Sequence, residues 1–163
     1  MLKMTRQTTN ADFHYIYSLY MHPSINPYLL YEYMDEVAFQ PIFDDLQSKN
    51  LLYLFEHEGQ KAGMFKLVPF AHRTSHIAFI GGVAIHPDLS GKGLGKQMFL
   101  EIIERGRSMG LLRLELSTAT DNAPAIRLYE SVGFEKEGVL RKYTWLKSEN
   151  RFLDEVMMSY LYV

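Results

Sequence analysis

The sequence contains no cysteine. Disulfides, thiolate metal sites and a cysteine nucleophile are excluded together. Absence of cysteine also suits a reducing compartment, and the expected location is the cytoplasm. No apolar run approaches the roughly 20 residues of a membrane-spanning helix. The opening stretch, MLKMTRQTTNADFHY, lacks the apolar core of a secretory signal. Neither sign of charge dominates: 17 Lys and Arg stand against 19 Asp and Glu, for a net charge of −2. That balance gives no electrostatic reason to expect nucleic acid or an anionic membrane as partner. An anionic ligand would have to be held by a local site. The six histidines (14, 22, 57, 72, 76 and 86) show no ligand spacing. His72 and His76 would share a helix face, but TSHIAFI reads as strand, so no metal is expected.

What is present is an ordinary globular composition, 47% apolar and 22% charged over 163 residues, with no internal repeat or linker. A single domain over 1–163 is expected. Asn10 is placed to cap a helix over 11–21 that stops at His22-Pro23. A second helical segment spans about 35–48, and Pro41 inside it predicts a kink or a late start. LLYLFE (51–56) and residues 62–69 flank His57-Glu58-Gly59-Gln60, a hairpin pattern. Residues 75–86 form a third strand with Gly81-Gly82 in its interior, a mark of a bulge or of close backbone approach by a ligand. Helical periodicity over 93–109 ends at Gly110. A strand over 111–117, a helix over 122–132 and strands near 139–146 and 153–162 complete an α/β order with mixed pairing.

Residues Ser90 to Lys96 read SGKGLGK, after a strand and at the start of a helix. Alternating glycines let the backbone bend tightly and expose N–H groups. A helix N-terminus adds free donors and partial positive charge, which suit a pyrophosphate, and Lys92 and Lys96 add mobile charge. Two other phosphate loops fail here. For a Walker loop, Ser90 stands where the first Gly belongs, and Gln97 follows Gly95-Lys96. For a dinucleotide loop, the third position after Gly93 is Lys96, not Gly. The bland alternative is a flexible turn with solvated lysines; placement between strand and helix favours phosphate.

In DNAPAIRLYESVGF (121–134), Asn122 is a cap before Ala123-Pro124, and Tyr129 falls two helical turns on, near the same face. Taken alone, these are an ordinary cap and a half-buried tyrosine.

Together the two segments resemble the GCN5-related N-acetyltransferase (GNAT) superfamily, over essentially the whole chain. Ser90-Gly91-Lys92-Gly93-Leu94-Gly95 matches its acyl-CoA loop, Gln/Arg-x-x-Gly-x-Gly/Ala, except at the first position. Asn122, Ala125, Tyr129, Gly133 and Phe134 match its later Asn-x-x-Ala-x-x-x-Tyr-x-x-x-Gly-Phe string. The stretch DNAPAIRLYESVGFEKEGVLRKY looks like the branch of bacterial L-amino-acid N-acyltransferases and ribosomal-protein acetyltransferase relatives.

The resemblance implies a mixed, mostly antiparallel sheet of about six to seven strands flanked by about four helices. It implies acetyl-CoA as cosubstrate, no metal, and transfer of acetyl directly to a primary amine of a small molecule, an amino acid being one candidate. Protein N-termini or lysines are the alternative acceptor, and a non-catalytic acyl-CoA module the alternative function. Val83, Ala84 and Ile85 would run along the pantetheine arm. Ser90, Gly91, Lys92, Gly93, Leu94, Gly95 and Lys96 would hold the pyrophosphate, and Asn122 would bond the pantetheine. Tyr129 would be the general acid for the thiolate. Ser90 in place of Gln/Arg implies weaker cofactor affinity, with Lys92 compensating. The general base is open among Glu115, Glu32, Glu36, His86 and a water relay. Tyr28, Tyr31, Tyr33 and Phe39, like Tyr143 and Trp145, suit an acceptor pocket, a packing surface or a homodimer contact equally.

Overall fold

The computed structural model describes residues 4–163; Met1, Leu2 and Lys3 lie outside the described residues. It is a mixed α/β fold of seven strands and four α helices. The elements are β1 (Thr5–Gln7), α1 (Phe13–Tyr20), α2 (Glu36–Ser48), β2 (Leu52–His57), β3 (Gln60–Pro69), β4 (Ile77–Ile85), α3 (Leu94–Ser108), β5 (Arg113–Ala119), α4 (Ala123–Ser131), β6 (Glu135–Leu146) and β7 (Arg151–Leu161). Among the described residues two compact units are distinguished: 4–68 with Gly81–Glu101, and Pro69–Ile80 with Ile102–Val163.

In the first unit the strand order is β1-β2-β3-β4. The β2–β3 hairpin closes with His57 opposite Gln60. Glu58 (φ 51) and Gly59 (φ 75) are both left-handed, the conformation that a two-residue turn with the right twist demands. Helices α1 and α2 bury an aromatic face: Phe13 stacks on Phe43 with centroids 5.3 Å apart and on Phe39 at 6.0 Å. Ile16, Leu19, Leu52, Leu54 and Met64 join them in one core. Asp35 caps α2 by accepting from Ala38 N at 2.8 Å.

Helix α2 contains Pro41 and nevertheless begins at Glu36, not late. Proline removes the bond to the carbonyl of Val37, but Val37 is 83% exposed, so water can serve that carbonyl. The helix expected over 11–21 instead opens as a 3-10 turn, Asn10–Asp12, with the α helix starting at Phe13. Strand β1 was not visible in the sequence; three residues carry too little pattern. It pairs with β2, and Glu101 accepts from Met4 N at 2.7 Å and Thr5 Oγ1 at 2.8 Å.

In the second unit the order is β4-β5-β7-β6. Pairing of β4 with β5 is parallel, over Ile77–Phe79 with Arg113–Glu115; β5–β7 and β6–β7 are antiparallel. Leu114, Leu116 and Met158 are buried. Strand β6 is interrupted where Arg141, Lys142 and Tyr143 together face a single residue of β7, Asp154. Lys142 sits there at φ 51, and its N–H donates to Asp154 Oδ1 at 2.7 Å. The KSEN turn is a 3-10 turn, Lys147–Glu149, closed by Asn150 in the left-handed region.

Candidate active site

In the first unit, Val83, Ala84 and Ile85 end β4, with Ala84 buried and its neighbours half-buried. The chain is fixed against β3 there: His86 N donates to Ala62 O at 2.8 Å. A Cβ at Gly63 would collide with the Ala84 carbonyl, so glycine is what lets β3 approach. A 3-10 turn, Pro87–Leu89, follows, and the His86 ring accepts from Asp88 N at 3.1 Å.

The glycine loop comes next. Ser90 is extended, while Gly91 (φ 77) and Gly93 (φ 75) are left-handed. Any other residue at either position would be strained. Their missing side chains face open space. Ser90, Gly91, Lys92, Gly93 and Lys96 are exposed, whereas Leu94 is buried and anchors the start of α3. Gln97 N already bonds Gly93 O, so the N–H groups ahead of it have no partner inside the helix. The loop thus offers free donors, a helix N-terminus and two mobile ammonium groups, a donor set that fits a pyrophosphate.

In the second unit, Asn122 caps α4. Its side-chain oxygen accepts from Ala125 N at 3.4 Å and its amide donates to Thr118 Oγ1 at 3.3 Å. An amide has capacity for four hydrogen bonds, so capping leaves donor and acceptor capacity for a ligand. Tyr129 is buried, 8% exposed, and its ring lies against Phe134 at 6.2 Å. Burial pushes its phenol up to about 12. The helix ends because Gly133 (φ 106) turns the chain back, so that Phe134 N bonds Tyr129 O at 3.0 Å. A side chain at Gly133 would press on Tyr160. The Gly-Phe pair therefore fixes the setting of Tyr129.

The candidate bases are placed less tellingly. Glu115 does point away from buried Leu114 and Leu116, but pairs with Arg113 at 3.1 Å, and Arg113 also holds Glu137 at 2.6 Å. Glu36 is exposed and lies 3.3 Å from His14; Glu32 is exposed; His86 is engaged as a turn cap. Of the aromatic stretch, Phe39 is core and Tyr31 half-buried, while Tyr28 and Tyr33 are exposed. Trp145 packs on Phe152 at 4.7 Å, both partly exposed. Among the described residues no group of His, Cys, Asp or Glu could hold a metal ion, and no helix is long and apolar enough to cross a membrane.

Two polar residues escaped the sequence reading: Tyr20 and Lys66, which meet at Gly82. The interior Gly81-Gly82 pair was the available signal, and Gly82 is indeed left-handed, φ 57.

The chain is 34% identical over 89 residues to the uncharacterized N-acetyltransferase YjgM of Escherichia coli K12, covering 55% of this chain and 53% of that one. It is 35% identical over 88 residues to the L-amino acid N-acetyltransferase AaaT of the same organism, covering 53% and 52%. The chain thus spans about half the length of these curated relatives. A spermidine N-acetyltransferase from Vibrio cholerae, solved in complex with CoA and spermine, shares the fold with a TM-score of 0.83 at 21% identity, covering 96% of this chain and 94% of that one. The model of the acetyltransferase (GNAT) family matches residues 13–134, a span that includes both the glycine loop and Tyr129. The chain belongs to the acetyltransferase (GNAT) family.

Proposed function

We propose that the chain is one acetyltransferase domain that moves an acetyl group from acetyl-CoA directly to a primary amine of a small molecule, an amino acid being the first candidate. The observation that carries this reading is the loop from Ser90 to Lys96, with two left-handed glycines opening a helix whose first N–H groups are free. Membership of the family and the amine-acetylating relatives support it. The relative solved with CoA supports the cofactor.

Acetyl-CoA supplies a thioester whose carbonyl carbon is open to an amine. Backbone groups of Val83, Ala84 and Ile85 run along the pantetheine, and a free N–H among them polarises the carbonyl. Ser90 to Lys96 hold the pyrophosphate, and Asn122 adds a hydrogen bond from its spare amide capacity. As the neutral amine nitrogen bonds to the carbonyl carbon, the C–S bond breaks and the thiolate takes the Tyr129 phenol proton; the nitrogen sheds one proton to water as the amide forms, and Tyr129 regains its proton from water. A phenol held near 12 keeps its proton at every physiological pH, as an acid must. With no cysteine in the chain, there is no thiol to carry the acetyl group in between.

Release of CoA thiol from acetyl-CoA, measured across amino acids, polyamines, aminoglycosides and peptides, tests the reading. Turnover with a small amine is expected. Binding of acetyl-CoA without turnover on any amine would indicate a binding module instead. Tyr129→Phe should lower kcat about 100-fold or more with acetyl-CoA affinity retained; an unchanged kcat removes Tyr129 as the acid. Lys92→Ala should weaken acetyl-CoA binding, and the loss should shrink as salt rises.

A further inference from the structure

In the second unit, α3 and α4 pack on the same face of the β5–β7 ladder. Gly106 of α3 meets Leu114 and Tyr162, and Gly133 after α4 meets Tyr160. Leu114 stands opposite Tyr160, which puts both helices on one side. Side chains alternate along a strand, so Arg113, Glu115 and Ser117 point to the other side. There Ser117 donates to Glu155 Oε1 of β7 at 2.6 Å, and the Thr144 hydroxyl of β6 donates to Glu155 Oε2. Ser117, Thr144 and Glu155 are all partly exposed.

Three carboxylates share this second face, and one of them differs. Glu115 and Glu137 both pair with Arg113, at 3.1 and 2.6 Å. Glu155 has two hydroxyls and, among the described residues, no cation beside it. Its cross-strand neighbours, Ala119 on β5 and Leu140 on β6, carry no charge. Hydroxyl donors orient a carboxylate without neutralising it, and each oxygen keeps a further lone pair. A fixed, partly exposed anion with spare acceptor capacity suits a cation bearing several N–H donors, an ammonium above all. Glu155 is also tied to the segment that carries Asn122 and Tyr129. Ala119 opposite it leads into the Asn122 cap, and Thr120 N donates to Asp154 O at 3.0 Å. Thr118, which accepts from the Asn122 amide, points to the helix face, whereas Ser117 and Glu155 point away from it.

We propose that Glu155 binds the ammonium of the acceptor on this second face and takes the proton that the nitrogen must lose before it attacks. The inference rests on the transferase reading and adds the base for its acceptor. The ammonium gives one proton to a Glu155 oxygen, which passes it to water. The neutral nitrogen then bonds to the carbonyl carbon, its surplus proton goes to water, and Tyr129 protonates the thiolate. Nucleophile and leaving group are thus served from opposite faces of the β5–β7 ladder. Ser117 and Thr144 are positioning residues, one on each carboxylate oxygen.

Glu155→Gln provides the test, because the amide keeps the shape and loses the charge. At neutral pH, kcat/KM for the amine should fall about 100-fold, within the range of general-base catalysis, with Kd for acetyl-CoA unchanged. The loss should shrink as pH rises towards about 10, where an amine sheds its proton unaided. Glu155→Asp should recover part of the rate, and Ser117→Ala should lower it a few-fold through KM for the amine. No loss in Glu155→Gln, or a loss equal at every pH, would overturn the proposal and leave Glu155 a structural group. Calorimetric binding to the CoA-saturated protein needs no turnover. The probes are L-leucine and putrescine, each against its hydroxyl analogue, leucic acid and butanediol. A preference for either amine that Glu155→Gln abolishes would uphold the site even if no amine were acetylated and the transferase reading failed. Equal binding of amine and hydroxyl analogue would reject the site even if amines were acetylated.

Discussion

The first unit buries two charged groups, Asp12 and Lys66, and treats them oppositely. Asp12, 1% exposed, is surrounded by donors: Arg6 at 2.8 and 3.1 Å, Lys61 at 2.9 Å and Thr9 N at 2.8 Å. Burial alone would raise its carboxyl; the hydrogen bonds from Arg6, Lys61 and Thr9 outweigh that and hold it well below the usual range. Among the described residues the Lys66 ammonium has an aromatic face and no carboxylate beside it. A charge that serves the fold comes with its partners, because an unpaired one would cost several kcal/mol. Lys66 bears that cost beside Gly82, where the Tyr20 hydroxyl fills the space that a Cβ would take.

The sharpest way to break the comparison is to remove one charge at a time and read stability. Asp12→Asn leaves Arg6 and Lys61 without their shared anion and should destabilise by about 3 kcal/mol in urea unfolding. Next in size, Lys66→Met should raise stability by about 1–2 kcal/mol, because it replaces an unpaired buried charge with an apolar chain of similar length. A loss there as large as that of Asp12→Asn would mean that Lys66 already has a structural partner. Gly82→Ala should cost about 1–2 kcal/mol, from the left-handed backbone and the clash with Tyr20. Tyr20→Phe should be the mildest change, within about 1 kcal/mol and towards greater stability, since it removes a hydroxyl with no hydrogen-bond partner among the described residues.

The pH dependences separate as well. The Asp12 contribution is present above the ordinary carboxylate value, about 4, and is lost as pH falls below it; Asp12→Asn should flatten acid unfolding there. For Lys66 the folded value is lowered, so the unfolded chain binds the extra proton. Stability should accordingly rise with pH towards the ordinary lysine value of about 10.4, and Lys66→Met should abolish that rise.

The glycine loop and the Asn122 cap were legible because their signals are local. Left-handed glycines and a capping amide act on their own backbone, and the residue types declare it. The hairpin at Glu58-Gly59 was readable for the same reason. Lys66 was not. In GMFKLVP it looks like an alternating strand residue facing water, and its burial depends on Tyr20 and Tyr31, more than thirty residues away in sequence. Ion pairing of Glu115 through Arg113 to Glu137 was hidden likewise, since it needs β5 and a residue of β6 brought together. Of the two outcomes expected of Pro41, a kink or a late start, the late start is excluded because α2 already begins at Glu36.

One feature of β6 bears on how the protein behaves in a crowded solution. This strand ends the order β4-β5-β7-β6 and would offer its open ladder to any other strand. The three-residue bulge at Arg141, Lys142 and Tyr143, pinned by Asp154, breaks that ladder into two short runs and sets charged side chains in the gap. Short, bent, charged edges are poor templates for strand addition. Straightening this edge by deleting a bulge residue should therefore show itself as aggregation before it shows itself as a loss of fold.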